Sequence, residues 1–361
     1  MIHFTDRRLR SVLWYLAGQG VILEGLSGCM TRREFITLFG GAVVAWPGIA
    51  ISQPSNPLRR IGVLMAISEG DAEVHPRLIA FQKSLDDLGW TDGRNTRIDY
   101  RFVVSDPNRI RAAAAELVGL KPDVLVAQST TETRALLELT RTVPIVSPML
   151  NDPVGSGLVQ SFGKPGGNIT GFTNFEDGMG GKWLGLLKAI APDVASVAIV
   201  LHPNDEGLSA GLRRSVETAA SSSGVGLTFL RNADIERNLD EFARDTFARK
   251  SNGGLIVFPG IYTGVHRYSI LALTAKYKWP AICPFREWVV SGGLLSYGTN
   301  IGAAFRQAAE YVDRILRGEK PGELPIQAPT NFQLVVNVWA ANALDLTIPS
   351  SLLAIADEVI E

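Results

Sequence analysis

Short blocks of almost uniformly apolar residues alternate along this chain with longer blocks in which apolar residues return every three or four positions. Residues 60–66, carrying Ile61, Val63, Leu64 and Met65, predict a strand, and residues 78–88 predict an amphipathic helix. The same alternation continues with strand periods at 96–103, 123–127 and 144–148 and helix periods at 110–120 and 132–140. Strands that are apolar on both faces need helices on both sides, so the order predicts an α/β layer structure around a parallel sheet.

The second half of the chain repeats the first. Ile61-Gly62-Val63-Leu64-Met65 is matched by Val197-Ala198-Ile199-Val200-Leu201, and Pro144-Ile145-Val146-Ser147-Pro148 by Pro280-Ala281-Ile282-Cys283-Pro284. The two spacings agree, since 197 − 61 and 280 − 144 both give 136. Asp123 to Ala127 is likewise answered by Gly254 to Phe258. Two similar Rossmann-like lobes in tandem follow from this register.

Between them, residues 151–171 are dense in Gly and Pro and predict a crossover punctuated by turns. Returns are expected at 291–298 and 320–329, which assigns 58–153 plus 291–319 to lobe one and 154–290 plus 320–361 to lobe two. Three crossing segments would form a hinge. Residues 53–57, Gln-Pro-Ser-Asn-Pro, predict a short extended leader before the folded body.

Residues 30–52 have a different character. Thr31-Arg32-Arg33-Glu34-Phe35 precedes an apolar run that Gly40, Gly41 and Pro47 interrupt, too short to span a bilayer. Paired arginines before a modest apolar run fit a twin-arginine export signal, with small-residue cleavage sites at Gly48-Ile49-Ala50 and Ala50-Ile51-Ser52. Met30 then reads as the natural start and 1–29 as a non-native extension. The competing reading takes Leu26-Ser27-Gly28-Cys29 as a lipoprotein box with Cys29 lipidated.

Composition narrows the chemistry. Lys and Arg total 35 against 36 Asp and Glu, a formal charge of −1, which lacks the positive field that nucleic acid would demand. Two cysteines and four histidines supply neither a disulfide framework nor a structural metal site. No nucleophile elbow, zinc-protease helix, phosphate loop or dinucleotide fingerprint occurs, so the pattern predicts binding without reaction and no cofactor.

Open α/β sheets bind ligands at the carboxyl ends of their strands. On lobe one these positions carry Ser68, Gln128, Ser129, Thr130 and Asp152. Ser129 and Thr130 open a helix whose free N–H groups suit a carboxylate, or else simply cap it. Asp152 is placed to meet an ammonium group, or to close an Asx turn before Pro153. On lobe two the corresponding residues are Asn204, Tyr262 and Arg286, with Tyr297 on the returning segment; the tyrosines either stack on a ligand or pack in the core. Trp183 and Cys283 read as core.

These residues, with longer motifs, resemble a known family. Arg32 to Leu38 with Trp46-Pro47, Asp152 to Leu158, Lys164 to Gly171, Pro284 to Glu287, Gly292 to Gly298 and the tail Leu352 to Glu361 together resemble the solute-binding proteins of ABC transporters, in the group related to tryptophan and tyrosine receptors. The resemblance covers nearly everything after Met30. It implies a type I periplasmic binding protein fold, hinge closure on a small carboxylate or amino-acid-like solute, a monomer peripheral to the membrane in the periplasm, and an ABC permease with its ATPase as partners. Two positions depart from the family pattern: Ile355 stands where an arginine is usual, and Gly260 where an acidic residue is common.

Overall fold

The computed structural model describes residues 58–71, 74–104, 106–201, 210–230, 234–248 and 252–361. The extension, the export signal, the Cys29 box and Asn204 lie outside the described residues.

Lobe one opens with β1 (Arg59–Met65), α1 (Val74–Asp87), β2 (Thr96–Phe102), α2 (Pro107–Gly119), β3 (Val124–Ala127), α3 (Thr130–Leu139), β4 (Ile145–Leu150) and β5 (Ile169–Thr173). Its five strands are all parallel, in the order β2-β1-β3-β4-β5. Lobe two continues with α4 (Met179–Ile190), β6 (Ser196–Val200), α5 (Ala210–Ser223), β7 (Gly226–Leu230), α6 (Ile235–Ala248), β8 (Gly253–Val257), α7 (Ile261–Val265), α8 (Arg267–Tyr277), β9 (Ala281–Cys283), α9 (Arg286–Val290) and β10 (Leu295–Thr299). The order β7-β6-β8-β9-β10 reproduces that of lobe one, which is the repeat read in the sequence.

The chain then places α10 (Ile301–Leu316) back on lobe one before ending on lobe two with β11 (Phe332–Asn337), α11 (Val338–Ala343), α12 (Ser350–Ile355) and β12 (Glu358–Ile360). β11 joins β10 antiparallel and β12 joins β11 parallel, so the second sheet has seven strands.

Each sheet is packed on both faces. Along β1, Ile61, Val63 and Met65 enter a cluster with Phe81 of α1 and Phe305 and Val312 of α10, while Leu64 joins Ala114, Leu117 and Leu136 on the other side. In lobe two, Trp183, Leu187 and Val216 cover one face, and Leu239, Phe242, Ile270 and Trp279 the other. Trp183 and Cys283 are each 1 % exposed, and the Trp183 indole N–H donates to the Tyr297 carbonyl at 2.7 Å.

The lobe boundaries differ from those expected. Residues 169–173 form β5 beside β4, so lobe one runs to Thr173 instead of ending at 153, and 295–299 belong to lobe two as β10. The first segment was expected as part of a turn-rich crossover and the second as a return. Gly171, with φ +146°, lies where an added Cβ would come within 2.0 Å of the Ser147 carbonyl oxygen; at Gly298 the same atom would lie 1.8 Å from that of Pro284. These glycines admit close strand approach. Residues 320–327 also stay on lobe one, where the Gln327 N–H donates to Gly171 O at 3.0 Å. The three crossings therefore fall between Thr173 and Met179, at Asn300, and between Gln327 and Phe332.

Candidate functional site

The loops at the carboxyl ends of the two sheets face and touch one another, and their junction is the cleft between the lobes. Ile261 of lobe two packs on the apolar cluster around Leu64 and Ala66 of lobe one. Phe285 touches clusters of both lobes and lies 5.4 Å, ring centre to ring centre, from Phe175 in the first crossing. Arg267 Nη2 stands 3.8 Å from Asp71 Oδ1 in lobe one.

On lobe one, three adjacent strands end in carboxamides: Gln128 after β3, Asn151 after β4 and Asn174 after β5. Gln128 is 7 % exposed and Asn174 3 %, yet Gln128 Oε1, Asn151 Oδ1 and Asn174 Oδ1 have no hydrogen-bond partner among the described residues. Gln128 is among the strand-end residues expected from the sequence and Asn151 directly precedes the expected Asp152; asparagine after a buried strand was the available signal for Asn174.

The start of α3 is arranged otherwise than expected. Ser129 occupies the N-cap position, but its hydroxyl does not accept from the helix. It donates to Glu132 Oε2 at 2.5 Å, while Glu132 Oε1 accepts the Ala66 N–H at 2.8 Å from the end of β1. Glu132 is wholly buried, and that burial pushes its carboxyl up from the usual range against the pull of its hydrogen bonds. The positive end of the helix thus already faces a carboxylate of the chain itself. Thr130 Oγ1 accepts the Asn151 N–H at 2.8 Å, tying the β3 exit to the β4 exit. The sequence signal for Glu132 was the Ser-x-x-Glu spacing of a capping box.

Other expected site residues serve the fold. Asp152 is exposed with φ +38°, and its Oδ1 accepts the Gly155 N–H at 2.8 Å, so the Asx turn is what forms. Ser68 is exposed, and its carbonyl accepts the Asp71 N–H at 3.0 Å. Arg286 makes two 2.6 Å contacts with Glu358, pinning β12, and holds that carboxyl below its ordinary range. Tyr297 faces the outer side of lobe two, its ring 5.7 Å from Phe332, in a hollow of about 520 Å³ lined also by Lys182, Leu186 and Ile355. Tyr262 remains near the cleft on α7, half-buried, its ring 4.7 Å from that of His266; burial and the charge of Asp234 raise its phenol.

Asp71 and Arg267, which the sequence reading did not single out, are the charged pair that spans the cleft. Arg267 is 4 % exposed, and its guanidinium rests 4.8 Å from the Tyr268 ring centre. Among the described residues there is no cluster of His, Cys, Asp and Glu fit to hold a metal, and no helix long and apolar enough to cross a membrane.

Comparison with known proteins agrees with this architecture. The family described as ABC transporter substrate binding protein matches residues 60–360. A tyrosine-binding protein of Clostridioides difficile (strain R20291) is 25 % identical over 270 residues, 74 % of this chain and 75 % of the relative. A conserved domain protein from Vibrio cholerae superposes with a TM-score of 0.73 at 28 % identity, covering 83 % of this chain and 99 % of that one. An ABC domain from Streptococcus pneumoniae in complex with L-Trp gives 0.76 at 22 % identity, covering 84 % and 100 %.

Proposed function

The chain belongs to the ABC transporter substrate-binding proteins, and from that premise we propose that it is the extracytoplasmic receptor of an ABC import system, capturing an amino acid in the cleft between its lobes. Members of this family are ligand-binding receptors and not enzymes.

The observation that carries the reading is the row of buried carboxamide oxygens of Gln128, Asn151 and Asn174 at three neighbouring strand ends. A buried acceptor without a donor costs about 1–3 kcal/mol. A solute bearing N–H donors would relieve that cost, and an ammonium group carries three. Phe175, Phe285 and Tyr262 add aromatic surface around the cleft for an apolar side chain. The tyrosine-binding relative and the L-Trp complex support an aromatic amino acid as the first choice.

Each lobe supplies part of the ligand shell, so the ligand favours the closed arrangement by its differential affinity for it. A monomer suffices, because one chain builds both walls. The export signal read at 30–52 supports export to the periplasm, where the closed receptor would deliver its solute to a permease and ATPase while remaining peripheral to the membrane.

A thermal-shift panel of the amino acids, aromatic acids and dicarboxylates tests this. A ligand at 100 times its dissociation constant stabilises by about 2.7 kcal/mol. Stabilisation by L-tryptophan or L-tyrosine, with a smaller radius of gyration in solution scattering, is the expected result. No response to any amino acid would refute it.

A further inference from the structure

The two walls of the cleft have opposite chemistry. Lobe one presents acceptors: the three carboxamide oxygens and, on the loop after β1, the carboxylate of Asp71. Its obvious anion site, the start of α3, is taken by Glu132. Lobe two presents the buried guanidinium of Arg267 at the first position of α8. A ligand cation therefore fits lobe one and a ligand anion lobe two.

We propose that Asp71 and Arg267 read the two charges of a zwitterionic amino acid: the ammonium group binds Asp71 and the carboxylate binds Arg267. The proposal rests on the amino-acid reading above and deepens it. Arg267 is suited to the task, since a planar guanidinium grips a carboxylate through two parallel N–H bonds, and Tyr268 orients it through the ring contact and a 3.1 Å contact between Arg267 Nη2 and Tyr268 Oη. The 3.8 Å separation holds the two opposite charges side by side. The ammonium and carboxylate groups of one α-amino acid are themselves adjacent, so a ligand lying beside the pair can reach both side chains with charge-assisted contacts of about 2.8 Å.

This assignment makes a charge-matched prediction. The probes are L-tryptophan, tryptamine, which lacks the carboxylate, and 3-indolepropionate, which lacks the ammonium group, with L-tyrosine, tyramine and 3-(4-hydroxyphenyl)propionate as a second series. Calorimetry on the wild-type protein should show each truncated analogue binding about 10- to 100-fold more weakly than its amino acid. Asp71→Asn should lose a similar factor for the amino acid while leaving the propionate unchanged within about threefold. Arg267→Gln should do the converse, losing the amino acid and keeping the amine. Arg267→Lys, which retains the charge, guards against a buried glutamine that unfolds the lobe, and should lose less than the glutamine variant.

A latch that merely holds the lobes together would give another pattern: both variants would shift all three probes by one common factor. That result, or unchanged affinity for the amino acid in both variants, overturns the assignment while leaving the amino-acid reading intact. A wild-type protein that binds neither amino acid but does bind another solute overturns both.

Discussion

Glu132 is the buried group whose removal should be most informative about how lobe one shapes its wall. Its side chain is fully enclosed, with one carboxylate oxygen on the Ala66 N–H at 2.8 Å and the other on the Ser129 hydroxyl at 2.5 Å. Glu132→Ala strands the N–H of Ala66, a residue 3 % exposed, at about 1–3 kcal/mol, and leaves a cavity that adds about 1–2 kcal/mol. The Ser129 hydroxyl is only half-buried and can turn to solvent. The sum is about 2–5 kcal/mol, which at about 2–4 °C per kcal/mol for a lobe of this size lowers the melting temperature by roughly 4–20 °C.

Glu132→Gln separates the hydrogen bonds from the charge. Its amide oxygen can still accept from Ala66 and its NH2 can donate to Ser129, so its cost should stay within about 1 kcal/mol. The pH dependence has a definite sign. Burial raises the folded-state carboxyl above its unfolded value, so its contribution is fully present below the unfolded pKa and is lost as pH rises through the folded one. Wild-type protein should therefore gain stability relative to Glu132→Gln as pH falls from neutral toward the carboxylate range, as urea melts would show. A glutamine variant as unstable as the alanine variant would refute this, since it would mean that the site requires the charge.

Three further outcomes follow from residues outside the cleft. Arg286→Ala should cost about 0.2–1 kcal/mol in a thermal melt, because its pair with Glu358 is half-exposed, and should leave ligand affinity unchanged in calorimetry. Gly298→Ala should cost more than about 3 kcal/mol or abolish soluble expression, because its Cβ would lie 1.8 Å from the Pro284 oxygen and only backbone movement relieves that overlap. The Cys283 thiol, fully buried and pushed well above its ordinary pKa by that burial, should resist alkylation in the native protein and react only with unfolding, as mass spectrometry of iodoacetamide-treated samples would show.

The central strands of both lobes were legible because each is buried on two faces and so carries an uninterrupted apolar run; Val124 to Ala127, all 0 % exposed, is the plainest case. Among those that escaped were β7, β11 and β12, and also β5 and β10, where Gly171 and Gly298 look like turn residues in sequence and are close-approach residues in space. The site was legible only as a set of strand ends. Which polar atom at a strand end remains available depends on partners the sequence does not disclose: Ser129 gives its proton to Glu132, Thr130 spends its oxygen on Asn151, and Arg286 is claimed by Glu358, 72 positions away. Asp71 and Arg267 carry no local motif at all. They meet only because two separately folded lobes bring their strand ends together.

The repeat also accounts for why the cleft can be two-faced. Equivalent strands in the two lobes end in the same place but in different residues: β3 and β4 are followed by Gln128 and Asn151, whereas their counterparts β8 and β9 are followed by the buried Phe258 and by Pro284 and Phe285. Lobe one thus ends these strands in carboxamides and lobe two in aromatic residues, Phe258 packed in the core against Trp183 and Phe285 reaching clusters of both lobes, and the cation of lobe two comes from a helix start, at Arg267. A small amphipathic solute satisfies one wall alone only by leaving its other end unmatched. In the proposed receptor the full set of contacts would form only with both walls engaged, which is the condition under which binding energy drives closure.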